Sequence, residues 1–280
     1  MRIIKTAITK PPKILLYGQH KSGKSQFAAS CPNPIFIQTE DRLSHLSVDA
    51  FELATTSQQI IESLDYLLKE KHNYKTVVLD TIDWASSIRF NELCKQHGAA
   101  SILDPHCKSF AFGGGYKMAE KFWGNEILPR LTSLNEEKKM MPVLVSHYNI
   151  TYRDDPRIGS YQYYDIDIPT KAGGSLVCEW CDVIAFLDWK TSEQKIENSK
   201  GEAVTITQNT GQRVLRLKPN LYWAAGQSYG LPDNLDLPNN KPGWPVFKEA
   251  LRAAISTKPS EGNLSEVKVE KEIAKLTNGV

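Results

Sequence analysis

One octapeptide restricts the fold more than any other stretch of the chain. Gly18-Gln19-His20-Lys21-Ser22-Gly23-Lys24-Ser25 fits GxxxxGK[ST] without deviation, and it follows the short apolar run Lys13 to Tyr17. After it comes a helix-forming stretch through Phe27, Ala28 and Ala29. A buried strand turning through glycines into a helix is the setting this pattern needs. The glycines let the backbone curl so that successive N–H groups and the start of the helix face phosphate oxygens. Lys24 is placed to reach the β- and γ-phosphates, and Ser25 to offer its hydroxyl to Mg²⁺. Gly18 to Ser25, with Gln26 next in line, is therefore the expected nucleotide-binding segment, with ATP and Mg²⁺ as its expected ligands. These contacts ignore the base. At average composition such a match arises by chance in a chain of this length roughly once in a hundred. A glycine turn that only started a helix would have no use for Lys24 and Ser25.

The rest of the chain supplies the sheet that such a loop requires. Further apolar runs stand at Pro34 to Gln38, Ala50 to Leu53, Thr76 to Leu79 and Met141 to Val145. Between them lie helical stretches. Thr56 or Ser57 caps one with Ile60, Ile61, Leu64, Leu67 and Leu68 at helical spacing, another runs from Asp83 to about His97, and a long one spans Lys117 to about Lys138. Strands apolar on both faces that alternate with helices predict an α/β fold with a mainly parallel central sheet flanked by helices. Asp182 to Trp189, Ala203 to Thr207 and Arg213 to Leu217 read as later strands, antiparallel in character, and Gly243 to about Ile255 as a last helix. We expect one core over residues 1–255 and a polar tail over 256–280, where Lys and Glu dominate without an aromatic residue.

Composition excludes more than it identifies. At 280 residues, 41% hydrophobic and 24% charged, the chain is not a wholly disordered one. The net charge of +2 gives no whole-protein attraction to a polyanion, so any nucleic-acid contact must be local. Five dispersed cysteines do not resemble a secreted disulfide framework and point to a reducing compartment. No run of eighteen apolar residues occurs, so a cytoplasmic protein without signal peptide or membrane span is expected. Cys178 and Cys181 have CxxC spacing, but without a second pair they read as structural thiols.

Three further positions suit the phosphate loop. Asp80 closes the strand TVVLD, where a carboxylate can hold the Mg²⁺ shell together with Ser25. Glu40 follows the strand PIFIQ, on the same carboxyl edge of a parallel sheet as Gly18, and can orient or deprotonate an attacking water. Asp41 competes with it, while Asp83 reads as a helix cap. His147 ends MPVLVSH and can reach a γ-phosphate, with Ser146 as the alternative contact.

The order of these elements resembles the RecA-like P-loop NTPases, and more closely the small RecA-like ATPases of bacteriophages, some of which anneal single strands. The likeness covers about residues 12 to 230. It implies that FIQTED carries the catalytic glutamate as Glu40, that TVVLD is the Walker B strand, and that VLVSH ends in the sensor, where RecA itself commonly has Gln. KAGGSLVCEWCDVIAFLD resembles the way RecA leaves its second DNA-binding loop, and VLRLKPN resembles the strand carrying lysines that act across a subunit interface, with Lys218 the match. The resemblance thus implies a homo-oligomer through the ATP site. It also implies single-stranded DNA as partner, at Phe110 to Tyr116 and at Tyr148 to Lys171. The second stretch holds Tyr152, Arg153, Arg157, Tyr161, Tyr163 and Lys171. Rings stack on unpaired bases while Arg and Lys meet phosphates, although Asp154, Asp155, Asp165 and Asp167 oppose a polyanion.

The expected function is an ATPase coupled to single-stranded DNA in phage-type recombination, annealing or replication, in the host cytoplasm and alongside a single-strand DNA-binding protein. A P-loop kinase of a small acceptor, with Arg153 and Arg157 on a lid, is an alternative. So is a non-hydrolysing nucleotide-dependent interaction module, in which Glu40 is a surface residue.

Overall fold

Side chains alternate between the two faces of a strand, so a strand that is apolar at every position needs cover on both. The computed structural model, which describes residues 10–197, 203–239 and 241–256, provides that cover. In chain order, β1 is Ile14–Gly18, α1 Lys24–Ala29, β2 Pro34–Gln38, β3 Asp49–Ala50, α2 Ser57–Lys69, β4 Thr76–Asp80 and α3 Ile82–His97. Then come α4 Gly114–Lys121, α5 Leu128–Glu136, β5 Met141–Asp155, β6 Gly159–Ile166, α6 Gly174–Trp180, β7 Val183–Glu197, β8 Ala203–Arg216, β9 Gly226–Gln227, β10 Asn234–Leu237 and α7 Trp244–Ser256.

The sheet runs β10-β8-β7-β1-β5-β4-β2-β3. Its strands from β7 to β3 are parallel, while β8 and β10 are antiparallel additions at one side. Leu15, Tyr17, Ile37, Leu79 and Leu144 face a layer built by α2, α3, α5 and α6. Leu16, Phe36, Val78, Val145 and Leu187 face the opposite way, onto Phe27 of α1 and onto Trp244, Phe247 and Leu251 of α7. This is the mainly parallel α/β architecture, covered by helices on both faces, that the sequence predicts. The α2 start matches its sequence signal: Thr56 accepts from the Gln59 N–H, and the Gln59 side chain returns the bond in a capping box.

Several boundaries differ from expectation, each for a physical reason. The third strand lies at Asp49–Ala50 rather than Ala50 to Leu53, because only residues 49 and 50 pair with Ile35 and Phe36. The expected long helix from Lys117 is interrupted by a π-helical turn, Phe122–Ile127. Pro129 has no N–H to give Asn125, and a wider turn just before it accommodates the missing donor. That turn buries Trp123, whose indole N–H donates to Ser86 Oγ at 3.1 Å. The stretch Phe110 to Tyr116 is a 3₁₀ turn, Lys108–Gly113, running into α4. Two expected strands, Ala203 to Thr207 and Arg213 to Leu217, are one strand, β8, paired along β7 from Phe186 to Glu197. Residues 257–280, which the polar-tail expectation concerns, lie outside the described residues. Among the described residues no helix is long and apolar enough to cross a membrane.

Candidate active site

Register explains why distant residues meet. Gly18 pairs with His147, Gln38 with Asp80, and Asp80 with Val145, so the carboxyl ends of β1, β2 and β4 lie level with Val145 to His147 of β5. Thr39 then joins two of these ends: its N–H donates to Asp80 O at 2.9 Å and its hydroxyl to Thr81 O at 2.7 Å. Glu40 is carried beside Asp80 as a result. Together Lys24, Ser25, Glu40, Arg42, Asp80 and His147 line a cavity of about 660 Å³ at this edge. That volume suits a nucleotide-sized ligand. In a second groove of about 680 Å³, between α2, α3 and the π turn, Arg130 is matched with Asp65 and Glu126, and Arg89 with Glu92.

The loop is held in the shape its glycines permit. Gly23 has φ +93°, in the left-handed region that a side chain resists. Lys24 is buried and donates from Nζ to Gly18 O at 2.9 Å and Gln19 O at 2.8 Å. Burial lowers its ammonium to about 8, against the pull of Asp80, Asp83 and Glu40. Ser22 is tied to Gln19 O at 2.8 Å, while Gln19, His20, Lys21 and Gln26 are exposed.

Asp80 is buried, and its Oδ2 has no hydrogen-bond partner in the protein. Burial raises its pKa, opposed by a hydrogen bond from Ser25 and by the Lys24 charge. A buried carboxylate oxygen without a partner, beside a hydroxyl, is a donor set that fits a hard cation such as Mg²⁺. Glu40 is held by Arg42, with Nε 2.5 Å from its carboxylate, whereas Asp41 is exposed.

His147 has a partner that the sequence reading assigned to capping. Asp83, in the first turn of α3, accepts from the His147 backbone N–H at 3.0 Å and meets Nδ1 at 2.8 Å. Burial opposes the Asp83 charge, but the His147 hydrogen bonds outweigh it and hold the carboxyl below its usual range. A carboxylate on Nδ1 fixes the proton there and leaves Nε2 as the ring's other working atom. The His20 ring lies 4.0 Å from that of His147, and burial together with this neighbour lowers the His20 pKa. No sequence signal distinguishes such an Asp83 from a cap, since only the β4 to β5 register brings it to His147.

The remaining candidates lie elsewhere. Tyr148 to Lys171 is not a loop but mostly a β-hairpin, in which β5 runs past His147 and β6 returns against it around Gly159 at φ +81°. Its arginines are committed: Arg153 to Asp165 at 2.7 Å and Arg157 to Asp155 at 2.9 Å. Arg153 also lies over the Tyr163 ring at 3.6 Å, and Tyr163 is buried. Tyr152 is 76% exposed, Tyr161 is half-buried, and Lys171 is exposed in the 3₁₀ turn Thr170–Ala172. Lys218 follows β8 on the side away from Gly18, exposed and paired with Asp233 at 2.8 Å. Burial raises the Cys178 thiol to about 12 and Cys181 well above its ordinary value, which keeps both unreactive.

Residues 10–229 match the model of a family described as an AAA domain. No curated protein sequence matches the chain. Among solved structures, one described as the crystal structure of the RadB recombinase is similar with a TM-score of 0.40 at 13% identity, over 82% of this chain and 90% of that one.

Proposed function

The chain belongs to the AAA-domain family, and on that premise we propose that it is a Mg²⁺-dependent ATPase whose turnover is coupled to single-stranded DNA. The observation that carries the ATPase reading is the convergence of Lys24, Ser25, Asp80, Glu40 and His147 on one cavity. Lys24 neutralises charge on the β- and γ-phosphates. Ser25 and Asp80 would hold Mg²⁺, which when bound polarises phosphate oxygens. Glu40 accepts the proton of a water whose oxygen bonds to the γ-phosphorus, while the bond to the bridging oxygen breaks and ADP leaves. His147 contacts the γ-phosphate through Nε2.

Asp83 is a positioning residue in this scheme. Asp83→Asn is expected to lower kcat on the order of tenfold with KM within about twofold, as happens when an orienting partner of a working histidine is lost. Steady-state kinetics checks the split, and the His147 ring ¹⁵N shifts report the tautomer. An unchanged kcat would remove Asp83 from the scheme.

Coupling to DNA draws support from continuity. His147 and Tyr152 lie on the same strand, β5, which offers a direct route between the cavity and the hairpin. The neighbouring Tyr17 hydroxyl, one residue before Gly18, donates to Ala224 O at 2.5 Å beside Tyr164 of β6. With Arg153 and Arg157 already paired to aspartates, the hairpin would hold a strand chiefly by stacking on Tyr152 rather than by neutralising phosphates. Binding is then expected to depend weakly on salt. The test is steady-state ATP hydrolysis with Mg²⁺, with and without single-stranded DNA. Stimulation of the wild type that vanishes in Lys24→Ala supports the coupling, and serves recombination, annealing or replication as the biological setting. Hydrolysis indifferent to DNA rejects it and leaves the ATPase standing. Turnover that requires a small phosphate acceptor would point to a kinase instead.

A further inference from the structure

Among the described residues, Arg213 is a buried arginine without a carboxylate partner. Arg42, Arg89, Arg130, Arg153, Arg157 and Arg216 each meet a carboxylate. Arg213 is more deeply buried than any of them, at 5% exposure, and among the described residues no carboxylate lies within ion-pair distance of it. Its Nη2 donates to the carbonyls of Pro238 and of Lys241, the latter at 3.1 Å, and its buried Nε has no partner. Burial lowers its pKa with no opposing contribution. A guanidinium taken out of water without an anion is costly, so the position calls for a compensating negative group.

Its surroundings say which group. A Cβ added to Gly23 would collide with Arg213 Nη1, so the guanidinium lies directly against the phosphate loop. Arg213 pairs with Trp189, two residues beyond the level of Leu187 and Gly18, and therefore stands at the carboxyl edge of the sheet. The groups assigned to Mg²⁺ and the γ-phosphate, Asp80, Glu40 and His147, come from β4, the end of β2, and β5, on the other side of β1. Arg213 comes from β8, across β7. The phosphates left on its side are those nearer the nucleoside.

We propose that Arg213 is a nucleotide-binding residue that pairs with an α- or β-phosphate oxygen, the contact being common to nucleoside di- and triphosphates. The proposal rests on the nucleotide site described above. Its planar donor fork can bond a phosphate oxygen while Nη2 keeps hold of the segment after β10. Nucleotide binding would thereby be communicated to Pro238 and Lys241, whose carbonyls Arg213 holds, near Gly243, which packs against Phe27 of α1.

The experiment is equilibrium binding of a fluorescent ADP and of a non-hydrolysable ATP analogue, with Mg²⁺, to the wild type, Arg213→Gln and Arg213→Lys. Arg213→Gln is expected to weaken both ligands by the same factor, on the order of tenfold or more, the usual worth of a charge-assisted hydrogen bond. Arg213→Lys, which keeps the charge but loses the fork, is expected to lie between. Unchanged affinity in a folded Arg213→Gln protein would overturn the proposal, as would a loss confined to the triphosphate analogue. If both variants fail to fold, the wild-type chain decides: ADP is expected to shift the Arg213 Nε–H resonance and slow its exchange, and an unmoved resonance overturns the contact. A wild type that binds neither ligand would instead reject the nucleotide-site reading itself.

Discussion

Replacing Glu40 by Gln is expected to leave ATP binding within about twofold of the wild type while hydrolysis falls by roughly 10²- to 10⁴-fold, the contribution typical of a positioned general base. The substitution is nearly isosteric, so the ends of β2 and β4, tied through Thr39, are not disturbed. What changes is basicity: an amide cannot take the water's proton. It also removes the ion pair with Arg42, whose side chain is 62% exposed, and such a pair contributes little to stability. Single-turnover hydrolysis alongside equilibrium nucleotide binding separates the two effects. Turnover equal to that of the wild type would make Glu40 a surface residue and favour the reading in which the protein binds nucleotide without cleaving it.

Lys24→Ala is expected to act on both binding and turnover. Hydrolysis should fall by on the order of 10²- to 10³-fold, as when one preorganised donor to developing charge is lost, and nucleotide affinity should weaken by about tenfold or more. Thermal unfolding gives a readout independent of catalysis. A ligand at about 100 times its Kd adds roughly 2.7 kcal/mol to the wild type, and this gain should shrink toward zero in the variant at the same concentration. The ligand-free protein should change little, since the ammonium is held there against its desolvation, which has lowered it to about 8. An undiminished ATP-induced stabilisation in Lys24→Ala would contradict the phosphate-loop assignment.

Much of the placement of this site is legible in the sequence. The pattern from Gly18 to Ser25 works through backbone curvature and two side chains at fixed offsets, so its geometry is encoded locally. The same holds for Asp80 and Glu40, since a residue ending a buried parallel strand is carried to the carboxyl edge wherever the strand sits. The runs at Thr76 to Leu79 and Met141 to Val145 announced strands because neither face could tolerate water, and the α2 start was written in Thr56 and its neighbours.

Other features depended on partners far along the chain. β5 continues ten residues beyond Val145 because β6 supplies a partner, and residues 146–155 carry no apolar run to announce it. The same is true of β7 and β8, whose polar outer halves pair with each other. Arginines that read in sequence as phosphate contacts are neutralised by aspartates from across a hairpin or a turn. Asp83 became the partner of His147, and Arg213 came against Gly23, only once the order β8-β7-β1-β5-β4 had set which strand ends are neighbours. Local backbone chemistry and two-sided burial are enough to specify the glycine-rich turn from Gly18 to Ser25, the parallel α/β core and the acidic strand ends. How the charges are partnered is a relation between strands, and the pairing register alone brings those groups within reach.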